Sequence, residues 1–548
     1  MKANPMRMGR RSESNSQDPI TGSLSPIAAH GLARSPVPPG DPVGQISLKV
    51  LPWIACVTFA LLSGCRIGPK YVRPAAPAPP EFKESTPVKY SNAPPGTWQP
   101  ANPQDTVLRG KWWEMFQEPE LNALEDQLNV NNQDIILDFQ NFMAALDVVR
   151  AVSSQFFPTV AGGPSFSRNK VPTAANRAVA TSTKGVTAST YGLTGGASWA
   201  PDVWGKIRNE VSEFRYAAQV SAADLAGEKL SEQASLAVFY FELRGQDSLQ
   251  RVSNQMVEAD KQTLALTKAL FATGIDDEQA VAQEEMTLED DEATATAIAT
   301  NRAIFEHAIA LEIGQPASSF SMAVKDLTTP VPPIPLGVPS QLLERRPDIA
   351  AAERTLAQAN ALVGVEKTAF YPTLTLTGSG GVESATLGTV FSVPALLWST
   401  AASASELVFA GGLRRATVAE YEAEYKADVA NYRETVLTAF QEVEDEIATL
   451  RITSAQIQQQ NQAVQSAQDS LNLENSRYQT GLDPYLNVLS SETALFNDQE
   501  LQTTSRVIEL TAAVELVEAL GGGWSTAQLP AASKVTTKAA IQQVSTTP

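Results

Sequence analysis

The feature that most constrains the fold is a repeat. Asp134-Ile135 precedes Pro158 by 24 residues, and Asp348-Ile349 precedes Pro372 by the same 24. Each proline sits in a matched junction, Phe156-Phe157-Pro158-Thr159 and Phe370-Tyr371-Pro372-Thr373. The second copy, Leu343 to Thr373, has a polar start (Glu344, Arg345, Arg346, Pro347, Asp348) and an alanine-rich run that reads as a helix feeding into a strand. Two matched ends at one spacing imply a duplicated supersecondary unit, so both copies must adopt one plan.

Beyond each junction the period changes. Tyr191, Leu193, Ala197 and Trp199 alternate with Gly192, Thr194, Gly196 and Ser198, and Leu374 and Leu376 alternate with Thr373, Thr375 and Thr377. This two-residue period is that of strands with one apolar and one small or polar face. A partner strand is expected around Trp398 to Phe409, which makes one hairpin per copy and four strands per chain. Segments of this kind, with Trp199 and Trp398 near their ends, suit a transmembrane β-barrel; a soluble β-sandwich is the alternative. Four strands are too few to close a lumen, and an open sheet in lipid leaves unpaired edge groups. A membrane-spanning sheet here therefore requires several chains.

Each hairpin is followed by a long proline-free stretch, Gly205 to Phe271 and Gly412 to Tyr478. At 1.5 Å per residue each extends to about 100 Å as a helix. Val429, Val436, Val443 and Leu450 recur every seven residues, with Phe440 and Ile447 beside them, which is the pattern of coiled-coil packing. Val211, Ala218 and Leu225 keep that spacing, and Leu236 and Leu243 resume it after an eleven-residue step. Both stretches end in matched stops, Thr273-Gly274-Ile275-Asp276 and Thr480-Gly481-Leu482-Asp483, where glycine is expected in the left-handed cap conformation. Helices then return through Glu284 to Leu311 and Asn487 to Leu520. Upstream, Trp112-Trp113-Glu114-Met115-Phe116 is expected to open a helix through Leu121, Leu124 and Leu128, its aromatics in the core.

Composition excludes several functions. A net charge of −19 without basic clusters argues against a nucleic-acid partner. The two histidines, His30 and His307, stand alone, and no HExxH or CxxC pattern exists, so neither a metal site nor a catalytic constellation is expected. His307 lies in a helical stretch and reads as structural or solvent-facing. The two cysteines, Cys56 and Cys65, both precede the body, so no disulfide framework holds it.

Residues 50–62 form an apolar run of 13, after Lys49 and before Ser63-Gly64-Cys65. The run is short for a membrane span and ends in small residues, as a secretory signal does. Leu62-Ser63-Gly64-Cys65 resembles a bacterial lipobox. That resemblance implies cleavage before Cys65, which would carry a covalent diacylglycerol and an N-acyl chain such as palmitate. Residue 66 is Arg rather than Asp, which implies an outer-membrane destination. Acyl chains contribute about 0.8 kcal/mol per buried methylene, so anchoring needs no transmembrane helix. The 48 residues before Lys49 depart from the short basic start of such signals. The chain thus reads as an N-terminal extension and signal (1–64), a lipidated Pro/Ala-rich tether (65–105), a first repeat (106–327), a linker (328–340), a second repeat (341–525) and a disordered tail (526–548).

The lipobox, Arg345-Arg346-Pro347-Asp348-Ile349, Phe370-Tyr371-Pro372-Thr373, and Arg477-Tyr478-Gln479-Thr480-Gly481 with Tyr485-Leu486-Asn487-Val488-Leu489 together resemble the TolC-like outer-membrane efflux family. The lipoprotein branch of OprM- and NodT-type factors is the most similar. The resemblance covers about residues 62–525. It implies an α+β membrane protein: a homotrimer with a 12-stranded transmembrane barrel, four strands per chain, continued by a long α-helical barrel in the periplasm. It implies passive conduction of drugs, toxic compounds or metal ions, with a periplasmic adaptor and an inner-membrane pump, usually of the RND type, as partners. A type I protein-secretion outlet and a trimeric lipid-anchored adhesin stalk are the alternatives; a lipid-anchored enzyme lacks any supporting pattern.

By the same resemblance, the turns at Gly274 and Gly481 are periplasmic tips, with Gly274, Arg477, Tyr478, Thr480 and Gly481 at the adaptor-docking ends. The family often places a carboxylate where this chain has Ser490. Asp276, Asp277, Glu278 and Asp483 are the nearby acids available for cation preference, or alternatively for helix capping, and Leu486 for an apolar constriction. Arg345, Arg346 and Asp348 look like helix-start and packing residues.

Overall fold

The computed structural model describes residues 66–76, 78–79, 81–84, 110–171, 186–274, 277–336, 339–480, 482–531 and 534. All of these belong to the compact unit 61–548. The first copy holds α1 (Pro119–Asn131), α2 (Gln133–Ser153), β1 (Thr159–Val171), β2 (Val186–Trp199), α3 (Lys206–Thr273) and α4 (Glu278–Glu312). The second holds α5 (Pro347–Lys367), β3 (Thr373–Ser384), β4 (Leu396–Ser405), α6 (Leu413–Gln479) and α7 (Tyr485–Ala519). The duplication is matched in length: α2 and α5 have 21 residues each, α3 and α6 have 68 and 67, and α4 and α7 have 35 each. Both long helices start after a glycine at positive φ, Gly205 at 83° and Gly412 at 94°.

Four expectations are corrected. Trp112–Phe116 forms a separate 3-10 turn instead of opening α1, because Gln117 takes φ 57° and Pro119 restarts the helix at its first turn. Its aromatics are buried in the core as expected. Strand β4 stops at Ser405, short of Phe409. Arg414 at the start of α6 reaches back to Glu406 Oε1 at 2.6 Å and to the carbonyl of Leu407, which draws the chain out of the ladder. Residues 66–84, where described, lie along the helices and do not hang free. Tyr71 donates to Glu353 Oε1 at 2.5 Å, Arg73 to the Leu343 carbonyl at 3.1 Å, and Phe82 is buried with Tyr432 and Val436. The tail is ordered where it begins: Thr526–Gln528 make a 3-10 turn, Leu529 packs with Phe142 and Leu146, and Gln219 donates to the Pro530 carbonyl at 2.6 Å.

The four strands form one antiparallel meander in the order β1-β2-β3-β4. Register puts apolar on apolar: Phe166 opposite Tyr191, Trp199 opposite Leu376, and Val382 opposite Leu396. The other face is hydroxyl and glycine, with Thr159 opposite Ser198, Ser198 opposite Thr377, and the Ser379 and Ser399 hydroxyls 3.0 Å apart. Gly381 is required by this crowding, since a Cβ there would lie 2.3 Å from the Leu193 carbonyl oxygen. Along the apolar face Val160, Phe166, Leu193, Leu396 and Trp398 are exposed, Trp398 at 75%. Among the described residues, β1 and β4 pair on one side only.

The helices form a wall four elements wide. In the half nearer the sheet the packing order is α2-α3-α5-α6; in the far half it is α4-α3-α7-α6. The long helices α3 and α6 run through both halves, and most of their seven-residue pattern is buried, with Val429 and Leu450 on α6 half-buried. Val211, Ala218, Leu225, Leu236 and Leu243 are buried on α3, as are Val436, Phe440, Val443 and Ile447 on α6. Arg346, 9% exposed, ties the halves together. It donates to Asp348 at 2.7 Å, Glu442 at 2.6 Å and the Ala519 carbonyl at the end of α7 at 3.0 Å. The matching residue of the first copy is Asn132. Its Oδ1 accepts from the backbone N–H groups of Asp134 and Ile135, and its Nδ2 donates to the Glu312 carbonyl at the end of α4 at 3.1 Å. No helix among the described residues is long and apolar enough to cross a membrane.

Candidate functional site

Three regions stand out. The first is the junction where helices become strands, around Pro158 and Pro372. Trp199 donates its indole N–H to the Phe156 carbonyl at 3.0 Å, and Trp204 donates to the Pro372 carbonyl at 2.8 Å while its ring lies 5.1 Å from that of Tyr371. This cluster, below a sheet whose apolar face is exposed, matches the aromatic girdle that marks a membrane interface. Arg66 is anchored at the same level, with Nε on Asn209 Oδ1 at 2.6 Å and Nη2 on Ser212 at 3.0 Å. A Cβ on Gly205 would lie 3.0 Å from the Arg66 Cα. Cys65, Asp276 and Gly481 lie outside the described residues.

The second region is the pair of tips. At the first, Gly274 takes φ 76° and its N–H donates to the carbonyls of Leu270 and Phe271. Asp277 is the N-cap of α4, accepting from Ala280 N at 2.9 Å, and exposed Glu278 occupies the first turn. Both acids thus stand where the helix dipole favours negative charge. At the second tip, Thr480 donates to the Arg477 carbonyl at 2.9 Å and the Tyr478 ring lies 5.3 Å from Tyr485. Arg477 forms an ion pair with Asp483, whose hydrogen bond holds that carboxyl below its usual range. Leu486 and Ser490 are exposed in the chain, as are Phe271, Met286 and Leu482 nearby. His307 is exposed on α4.

The third region was not legible from the sequence. Between α3, α4 and α7, above the tips, Asp260 and Glu284 are buried at 0% and 1% exposure. The groups facing Asp260 are Asp291, Glu284 and Glu492; Glu284 faces Glu492, Asp291 and the Tyr485 hydroxyl. Tyr485 donates to Glu492 at 3.4 Å. Burial first, then the neighbouring acids, pushes Asp260 up to about 8 and Glu284 up to about 7. In sequence each acid reads as one more solvated carboxylate; only the meeting of three helices reveals them. Among the described residues, no three acids, cysteines or histidines converge closely enough to ligate a metal ion.

Two stretches of the chain, residues 124–315 and 338–522, match the outer membrane efflux protein family, one stretch for each copy. The chain is 27% identical over 481 residues to TtgC, a probable efflux pump outer membrane protein of Pseudomonas putida, covering 85% of this chain and 94% of that one. It is 28% identical over 488 residues to SrpC, a solvent efflux pump outer membrane protein of Pseudomonas putida, covering 88% and 100%. The solved outer-membrane channel OprN superposes with a TM-score of 0.75 at 25% identity, over 84% of this chain and 100% of that chain. Paired strand-helix copies, an apolar-faced sheet above an aromatic junction and these likenesses lead to one conclusion: the chain belongs to the outer membrane efflux protein family.

Proposed function

We propose that three copies of this chain assemble into a passive outer-membrane conduit for small molecules, delivered by a periplasmic adaptor and an inner-membrane pump of the RND type. The observation that carries this reading is the one-sided wall. Among the described residues, strands β1 and β4 each lack a second partner, and α6 on one side and α2 with α4 on the other pack extensively on one side only. Those outer faces carry exposed apolar residues: Leu437, Ile452 and Leu473 on α6, against Ile136, Leu137 and Val148 on α2 and Ile304 on α4. Two different faces that meet head to tail generate a closed ring, and three four-stranded sheets make twelve strands with no free edge. The hydroxyl and glycine face then lines the lumen. Such a wide polar lumen performs no chemistry, so transport draws its energy from the pump.

Cys65 carries the acyl chains in this reading. What supports it is Arg66, the residue that follows Cys65 in sequence, pinned at the helix-strand junction. The tips, with Gly274, Arg477, Tyr478, Thr480 and Gly481, meet the adaptor; Asp276, Asp277, Glu278, Asp483, Leu486 and Ser490 border the aperture. Small, solvent-like compounds are the cargo, as the name of SrpC, a solvent efflux pump outer membrane protein, indicates for that protein. The test is the mass of the purified, membrane-extracted protein together with dye accumulation in a deletion strain. Three chains per particle and accumulation reversed by the wild-type gene are expected; a monomer, or unchanged accumulation, contradicts the reading.

A further inference from the structure

The carboxyl cluster lies in the contact between the first helical hairpin, α3-α4, and α7 of the second. Asp260 is 14 residues before Gly274 and Glu284 is 10 after it, which places the contact roughly 15–20 Å from the tips at 1.5 Å per residue. Neither carboxyl oxygen of Asp260 or of Glu284 has a conventional hydrogen-bond donor. The cations near this level are engaged elsewhere: Lys261 pairs with Glu292 at 3.0 Å, Lys268 with Glu285 at 2.8 Å, and Arg477 with Asp483. Packed against α7 from the other side, α6 presents Asp469 and Glu474, and Ser470 faces Ser491 at 3.5 Å. No described element supplies this contact with a counter-charge. Several buried carboxylates cannot all be ionised so close together without one.

We propose that Asp260, Glu284, Asp291 and Glu492 form a proton-held latch: protons shared among these carboxyls bind α7 to the α3-α4 hairpin, and their loss drives the second hairpin away from the first. Each neutral carboxyl gains an O–H to donate to its acidic neighbour, so protonation turns repulsion into hydrogen bonds. The direction follows from linkage. An acid whose value in the folded contact lies above its free value, near 4, stabilises the contact fully below about pH 4 and progressively less as pH rises through the folded value. With Asp260 at about 8 and Glu284 at about 7, the contact is closed at pH 5.5 and loosened at pH 8.5. Because the same hairpins end at the tips, the latch sets how readily the second tip moves; this consequence for conduction rests on the channel reading above.

The experiment is hydrogen exchange of the full-length protein in lipid at pH 5.5 and 8.5, corrected for the intrinsic rate, reading residues 255–270 and 484–495, with conductance recorded in parallel. Protection in the wild type is expected to fall at least about tenfold at pH 8.5, the effect of one pKa unit. The permanently neutral double variant Asp260→Asn/Glu284→Gln is expected to keep its protection within about twofold across the range. Glu492→Gln, which removes one charge only, is expected to fall between the two and serves if the double variant does not assemble. Wild-type protection that ignores pH, or a variant that loses protection as the wild type does, overturns the latch. Exchange that follows the expected pattern in a protein that never conducts supports the latch and removes the channel reading instead.

Discussion

The two copies share a plan and differ in how they hold it. At the junction of the halves the first copy uses Asn132, a neutral cap whose amide reaches the end of α4; the second uses Arg346, a buried cation joined to two carboxylates and the end of α7. At the tips the contrast continues. The first hairpin closes through a glycine cap and an Asp277 N-cap, while the second adds the Arg477–Asp483 ion pair and the Tyr478–Tyr485 contact. At these two places the first copy relies on capping and backbone geometry, while its buried ion pairs, Arg244 and Arg302 on Asp247, lie elsewhere on α3 and α4. At the same two places the second relies on ion pairs that a single substitution can unbalance. Duplication preserved length and topology, and the contacts diverged.

Substitutions that separate the copies sharpen this contrast. The largest effect is expected from Leu437→Asp with Ile452→Asp, which places charge on the exposed apolar face of α6; loss of the trimer is expected by native mass measurement. A stable trimer would move the subunit contact off that face. Next, Arg346→Ala removes a buried guanidinium and the donor to the Ala519 carbonyl and is expected to cost about 2–3 kcal/mol, against about 1–2 kcal/mol for Asn132→Ala, read from denaturant unfolding. Equal losses would mean that the two junctions are equivalent. Gly245→Ala on α3 is expected to cost about 1–2 kcal/mol, because its Cβ would lie 2.3 Å from Val507 Cγ2 on α7. The smallest change in stability is expected from Arg477→Ala, which removes an exposed pair; its unfolding midpoint should stay near that of the wild type while leak conductance rises.

Much of the plan was legible because it is periodic. Alternation gave the faces of β2 and β3, the seven-residue spacing gave the buried stripes of α3 and α6, and repeated Pro-Thr junctions marked where helices turn into strands. The break at Gln117 was missed because a positive φ at a non-glycine residue leaves no mark in composition. The end of β4 was missed because Arg414, eight residues beyond Glu406, draws the chain out of the ladder, a contact no local pattern announces. Arg346 and Asp348 were recognisable as packing residues, yet their partners Glu442 and Ala519 are 96 and 173 residues away from Arg346. The carboxyl cluster is the extreme case: Asp260, Glu284 and Glu492 come from three helices, and their burial depends wholly on tertiary packing.

That this chain builds a conduit whose aperture is bordered by the tips is tested by conductance of the purified protein in planar bilayers. Small or rare openings are expected for the wild type and a several-fold increase for Arg477→Ala combined with Leu486→Ala, with a smaller effect from Asp277→Ala at the first tip. Absence of conductance at every voltage, in the wild type and in the second-tip variant alike, would contradict it.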